Sequence, residues 1–186
     1  CERPPWPTST RGTGPGATSN SVTPSAGAAI ALSSVVSRKN HGAASDQDLP
    51  IAFATPLAGQ ITVEPRTNTG GHTLRLTFNV PVSSVGTATV TDGTIAIGTA
   101  SASADGSNVV TVTLTGVPDN RRAQVTVNSV NVSFQAQANI GFLVGDVTGN
   151  GKVNATDLSA IKARSGQSAT TAAIYDIKGS GTVDTT

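Results

Sequence analysis

The stretch Leu74-Arg75-Leu76-Thr77-Phe78-Asn79-Val80 alternates apolar and polar side chains without interruption. A strand turns successive side chains to opposite faces, so Leu74, Leu76, Phe78 and Val80 line one face and Arg75, Thr77 and Asn79 the other, the pattern of a half-buried strand. The same period recurs in Ala88 and Val90, in Ile95 and Ile97, in Val110, Val112 and Leu114, and in Val125 and Val127. The phase slips at Asn128 and Ser129, where a bulge or turn is expected, and resumes through Val130, Val132 and Phe134. Gly70-Gly71, Asp92-Gly93, Asp105-Gly106 and Pro118-Asp119-Asn120 punctuate the runs as turns. Short strands at this spacing, with no helical pattern between them, predict an antiparallel β-sandwich of immunoglobulin-like type over residues 33–144.

Upstream, residues 1–32 carry Pro4, Pro5, Pro7, Pro15 and Pro24 in a Ser-, Thr-, Gly- and Ala-rich background. Such a composition buries too little apolar surface to offset the entropy of ordering it, and the segment reads as a disordered linker that includes the only tryptophan, Trp6. Charged residues make up 12% of the chain and aromatics 3%, which together with abundant Ser, Thr, Val, Ala and Gly suits secreted β-structure. A net charge of +1 supplies no basic field for nucleic acid. The single cysteine, Cys1, excludes an intrachain disulfide and a Cys-based zinc site. No apolar run approaches the roughly 20 residues of a membrane span, and no signal peptide is visible. The lack of any methionine reads as a fragment or processed form of a longer protein.

Downstream, the chemistry changes. Asp146-Val-Thr-Gly-Asn-Gly-Lys-Val-Asn-Ala-Thr-Asp157 sets oxygen donors at loop positions 1, 3, 5, 9 and 12 around a glycine at position 6. Calcium takes six to eight oxygens at roughly 2.3–2.6 Å, so a short loop must turn its own oxygens inward around one point. Asp146, Thr148 and Asn150 offer side-chain oxygens, Lys152 its carbonyl, Asn154 a position to hold a water, and Asp157 closure of the sphere. Gly151 supplies the sharp turn. Only Asp146 and Asp157 of this set carry charge, and Asp stands where a bidentate Glu is usual, so an affinity suited to extracellular calcium is expected. A polar turn between strand and helix is the competing reading of Thr148-Gly-Asn-Gly151, and recurrence of the motif argues against it.

The recurrence opens at Asp176, thirty residues on, and runs to Thr186, one residue before its position 12. Asp176, Ser180, Thr182 through its carbonyl, and Asp184 fit positions 1, 5, 7 and 9, while Lys178 puts an ammonium at position 3. This second, truncated copy reads as a weak site. A short helix is expected after Asp157, with Leu158 and Ile161 on one face and Gly166 as its C-terminal cap. The apolar run before Asp146 leaves no room for an entering helix. Val153 and Val183, at position 8 of the two copies, are expected to pack the loops face to face.

Gly145-Asp146-Val-Thr-Gly-Asn-Gly-Lys-Val-Asn-Ala-Thr-Asp157-Leu158-Ser159, followed by a second Asp-led loop, resembles the type I dockerin of bacterial exported proteins. The resemblance covers residues 145–186 and implies a small α-helical module of loop–helix repeats that binds calcium. It also implies a cohesin-like partner and a secreted or cell-surface bacterial setting, in which dockerins plug carbohydrate-active enzymes into cohesins. In that family positions 10 and 11 of each loop are read by the cohesin; here they are Ala155 with Thr156, and Thr185 with Thr186. Lys162 stands where the family shows a Lys-Arg pair, with Ala163 after it. The β-region has its own likeness: Val35 to Ala44, with Leu49-Pro-Ile51 and Val63-Glu-Pro-Arg66, resembles a module found immediately before dockerin-like repeats in large bacterial exported proteins.

No catalytic set emerges. His41 and His72 lie in polar, loop-like contexts, and Ser and Thr are too abundant for a neighbouring hydroxyl to signify a triad. Glu64 and the loop aspartates are not placed in pairs across a cleft by any sequence feature. The reading is a non-catalytic, calcium-stabilised docking region of an exported protein. The alternative is an accessory C-terminal part of a polysaccharide-degrading hydrolase, with carbohydrate association through that parent protein. Carbohydrate binding by the sandwich itself is weakened by the scarcity of aromatics to stack on sugar rings.

Overall fold

A computed structural model describes residues 28–67 and 70–184, so that most of the expected linker, Trp6, Thr185 and Thr186 lie outside the described residues. Ten strands among the described residues follow in chain order: β1 (Leu32–Asn40), β2 (Asp46–Ile51), β3 (Val63–Glu64), β4 (His72–Phe78), β5 (Ala88–Asp92), β6 (Ile95–Ala96), β7 (Thr99–Ala104), β8 (Val109–Thr115), β9 (Arg121–Val130) and β10 (Phe134–Phe142). They hydrogen-bond in the order β2-β1-β4-β8-β7-β5-β9-β10-β3, with β6 beside β5. The ladder is thin at one point, where β5 and β7 share only the Ala88–Ala100 pair. There the sheet folds over, and its two halves face each other as the layers of a sandwich.

Side-chain alternation drives that closure. Leu74, Leu76 and Phe78 of β4 and Val110, Val112 and Leu114 of β8 share one core with Val90 of β5, Val125 and Val127 of β9, and Ala138 and Ile140 of β10. All are essentially sealed from solvent, and each large side chain so buried contributes about 1.5–3 kcal/mol. Phe78 meets Phe134 edge to face across the layers, ring centres 6.2 Å apart. The pairing is antiparallel throughout except that β3 runs parallel to β10, Val63 opposite Gly141.

One local expectation holds and two change. The phase slip at Ser129 (φ 53°) is a bulge between the Val130–Phe134 and Val127–Ala136 pairs. Val132, however, is not a strand residue: it sits in the β9–β10 turn at φ 84°, and it is 83% exposed. Ile95 and Ile97 do not share a buried face, because β6 ends at Ala96; Ile97 is buried and Ile95 exposed. Just ahead of Ser33, Asn79 bonds the backbone of Ala29 and Ala31, and Ile30 and Leu32 pack on the core.

Leu143–Gly145 carries the chain from β10 straight into the first loop, with no entering helix, and the Gly145 N–H bonds Pro65 O. Helix α1 (Ala155–Lys162) follows, then α2 (Ala169–Ala172) and a 3-10 turn (Ala173–Tyr175) that leads into the second loop. The Arg164 guanidinium lies over the Tyr175 ring at 4.0 Å and ties the end of the first repeat to that turn. Among the described residues no helix is long and apolar enough to cross a membrane.

Candidate functional site

The first loop is shaped by its two aspartates. Asp146 Oδ1 accepts the Asn150 N–H at 3.0 Å, and Oδ2 accepts the Gly151 N–H at 2.7 Å. Asp157 Oδ1 accepts both the N–H and the hydroxyl of Thr148, at 3.1 and 2.8 Å, and Oδ2 accepts the Asn154 N–H at 3.0 Å. Gly151, at φ 79°, makes the turn between them. Thr148 Oγ1 therefore stands between the carboxylates, 3.4 Å from Asp146 Oδ1 and 2.8 Å from Asp157 Oδ1. Oxygens of positions 1, 3 and 12 converge.

Both carboxylates are buried, Asp146 at 0% and Asp157 at 1% exposure. Neither has a cationic partner among the described residues. Burial is the strongest single influence on the Asp157 carboxyl and pushes its pKa up, but the bonds from Asn154 and Thr148 outweigh it and hold the group below the usual carboxylate range. Two buried carboxyl groups facing one hydroxyl with no cationic side chain beside them are the chemistry a hard cation satisfies. Among the described residues no cluster of three or more His, Cys, Asp or Glu side chains forms a metal site, so a cation here depends on neutral oxygens as well. Asn150 is exposed, and its Oδ1 accepts the Lys152 N–H at 2.9 Å. Asn154 caps α1 by accepting the Thr156 N–H at 2.8 Å, a capping box completed by Asp157. Its side chain thus faces the helix terminus.

The second loop repeats this local design around Asp176. Oδ1 accepts the N–H groups of Gly179 and Ser180 at 3.0 and 3.1 Å, with the Ser180 hydroxyl at 3.3 Å, and Oδ2 accepts the Gly181 N–H at 2.8 Å. The remaining contact differs in kind: His41 Nδ1, from the end of the β1 hairpin, lies 2.7 Å from Asp176 Oδ2. His41 Nε2 faces Arg66 Nη1 at 3.2 Å, and Arg66 is held by both oxygens of Glu64, at 2.7 and 2.6 Å. A guanidinium only donates, so Nε2 accepts and the Nδ1–H donates to Asp176. Burial pushes the carboxyls of Glu64 and Asp176 up, but Arg66 in the one case, and His41 with the loop amides in the other, hold them below the usual range. Lys178 lies 3.6 Å from Asp184, an exposed pair that spans positions 3 and 9. Thr182 is exposed, and its carbonyl accepts the Ser180 hydroxyl at 2.8 Å.

The histidines therefore depart from the sequence reading. His41 is wholly buried, and His72 is 8% exposed with its ring 4.3 Å from that of Phe142. For His72 a signal existed, since it continues the Leu74–Leu76–Phe78 alternation by one step. For His41, 135 residues from its partner, none did. Glu64 and Arg66 are likewise buried and mutually occupied, not poised over a cleft.

Helix α1 also differs from expectation. Leu158 is 48% exposed, Ile161 is only partly covered, and the helix ends at Lys162, before Gly166. Ala155, Leu158 and Lys162, spaced i, i+3, i+7, share one stripe. Ala155, Thr156 and Lys162 are all exposed. Val153 and Val183 do not close the loops symmetrically: Val153 is 56% exposed, whereas Val183 is buried and pairs through its backbone with Gly166 and Gln167.

Residues 144–186 match the family model of the dockerin type I domain. No curated protein and no solved structure matches the chain.

Proposed function

We propose, taking residues 144–186 as a type I dockerin-like module, that this region is a non-catalytic docking element stabilised by calcium in its first loop, carried behind a β-sandwich spacer. Asp146, Thr148, Asn150, the Lys152 carbonyl and Asp157 would hold the ion, with Asn154 serving mainly as the helix cap. When bound, calcium supplies the positive charge that two buried carboxylates otherwise lack. The observation that carries the reading is the convergence of Asp146 and Asp157 on Thr148 Oγ1 with both acids sealed and no cation beside them. The partner fitting the exposed α1 stripe is a cohesin-like module, and the setting is the exterior of a bacterium.

Calcium acts by binding the native state alone, which raises stability by about 2.7 kcal/mol at a hundredfold excess over Kd. The test is a thermal melt of the full chain with calcium and with EDTA, read by α1 circular dichroism. Calcium is expected to raise the transition, and Asp146→Ala to abolish the rise. An unchanged transition would sink the reading.

A further inference from the structure

We infer that the second loop is not a calcium site but a clamp, in which the β-module supplies the group that a cation would otherwise supply to Asp176. The inference goes beyond the docking proposal, because it concerns the other loop and the seam between the two modules.

The two loops share their local structure and differ in what faces the leading aspartate. In each, the leading aspartate gathers the amides of positions 5 and 6. In the first loop the acids end there without a positive partner. In the second, the His41 Nδ1–H takes Asp176 Oδ2 at 2.7 Å, and Arg66 stands behind the imidazole with Glu64. The Lys39 side chain lies against the loop, its Cε 2.9 Å from where a Cβ on Gly179 would fall, and its ammonium bonds Thr67 O. Two buried acids, Glu64 and Asp176, thus share this seam with the buried Arg66, which pairs with Glu64, and with the part-buried Lys39, which bonds Thr67 O. A divalent ion at Asp176 would join the Arg66 and Lys39 cations around a single buried loop carboxylate. Position 3, the next ligand, is Lys178, whose ammonium lies toward Asp184.

The backbone is fitted as closely as the charges. Thr67 donates both its N–H, at 2.8 Å, and its hydroxyl, at 3.1 Å, to Ile177 O. A Cβ on Gly179 would fall 2.8 Å from Asn40 O, one on Gly181 2.8 Å from His41 O, and one on Gly42 3.0 Å from Ser180 O. The loop and the β1 hairpin therefore meet backbone to backbone, which a free calcium loop does not require.

Amide hydrogen exchange on the full chain tests this residue by residue, alongside calcium counting by native mass spectrometry. Asn150 and Gly151 are expected to lose protection in EDTA, while Gly179, Ser180 and Gly181 keep theirs, and one calcium is expected per chain. His41→Ala is expected to speed exchange at Gly181 by about tenfold or more, the consequence of removing a bond to a charged group, with exchange at Gly151 unchanged in calcium. Loss of protection in EDTA at Gly179–Gly181, or a second bound calcium, overturns the clamp. If EDTA leaves Asn150 and Gly151 unchanged while His41→Ala frees Gly181, the clamp stands and the first-loop calcium proposal falls. The wild-type EDTA comparison decides the matter even if His41→Ala fails to fold.

Discussion

His41 Nδ1 and Asp176 Oδ2 lie 2.7 Å apart, 135 residues apart in sequence, with both side chains sealed from solvent. The contact joins the end of a hairpin in the β-module to the first position of the second loop. It makes the sandwich and the second repeat one packed body at that seam, while α1 and the first loop keep an exposed flank.

The tightness of the seam yields the first prediction. Gly181 sits at φ 98°, and a Cβ there would come within 2.8 Å of His41 O, so alanine meets both a strained backbone and another residue's carbonyl. Gly181→Ala is expected to lower unfolding stability by about 2 kcal/mol or more in a denaturant titration. A shift no larger than that of an ordinary surface change would contradict the close approach.

The Glu64–Arg66 pair behind His41 yields a second. Arg66 is wholly buried and donates to Glu64, Ser37 O and Gln47 O. Arg66→Met leaves Glu64 as an uncompensated buried acid, at an expected loss of about 3–5 kcal/mol. The double variant Glu64→Leu with Arg66→Met is expected to recover part of that loss. A double-mutant cycle with no coupling would show that the pair acts independently.

Acid stability separates into two windows. Burial, the main cause, lowers the His72 pKa from 6.5 to about 4. The unfolded chain therefore takes up this proton near 6.5 and the folded chain only near 4, so stability is full at neutral pH and falls on acidification between those values. The loss from this group approaches roughly 3 kcal/mol by the lower limit. Below that window the depressed carboxyls of Glu64 and Asp176 take over, their contribution present above the ordinary carboxylate range and lost as the pH falls through their lowered values. His72→Gln is expected to flatten the upper window and leave the lower. An unchanged slope between pH 6.5 and 4 would refute the assignment.

Local patterns were legible where one element dictates its own face. The alternation in Leu74–Phe78 and Val110–Leu114 marks the core, because a strand cannot bury one neighbour without exposing the next. The Asp146–Asp157 spacing likewise announces a loop that closes on itself. What escaped was decided between elements: His41 against Asp176, the parallel β3–β10 pair, and the exposure of Leu158, whose apolar side chain reads as core in sequence and is left uncovered by the neighbours it has. The α2 segment escaped for a different reason: four residues are too few to show a helical period.

Val132 tests the turn that the alternation concealed. A β-branched residue at φ 84° is strained, and this one is 83% exposed, so it gains little from burial in return. Val132→Gly is expected to raise stability by about 1 kcal/mol, against the usual direction for glycine substitutions. A loss of stability would mean that the turn does not hold that conformation.

The proposed docking face rests on Leu158. It is 48% exposed on the stripe it shares with Ala155 and Lys162, at the N-terminal half of a helix whose first turn is fixed by the Asn154–Asp157 capping box. An exposed leucine on a helix anchored at the proposed calcium loop is placed to be an aliphatic interface anchor, and burying such a side chain fully contributes about 1.5–3 kcal/mol. Leu158→Glu, which touches no buried contact of the core, is expected to leave unfolding stability within about 0.5 kcal/mol. Affinity for a cohesin module, measured by surface binding in calcium, is expected to fall by about thirtyfold or more, the scale of a lost hot spot. Asp146→Ala, by contrast, should lower both affinity and melting temperature, since it acts through the loop that orients the helix. If Leu158→Glu binds as the parent does, while Asp146→Ala does not, the partner reads a different face of the first repeat.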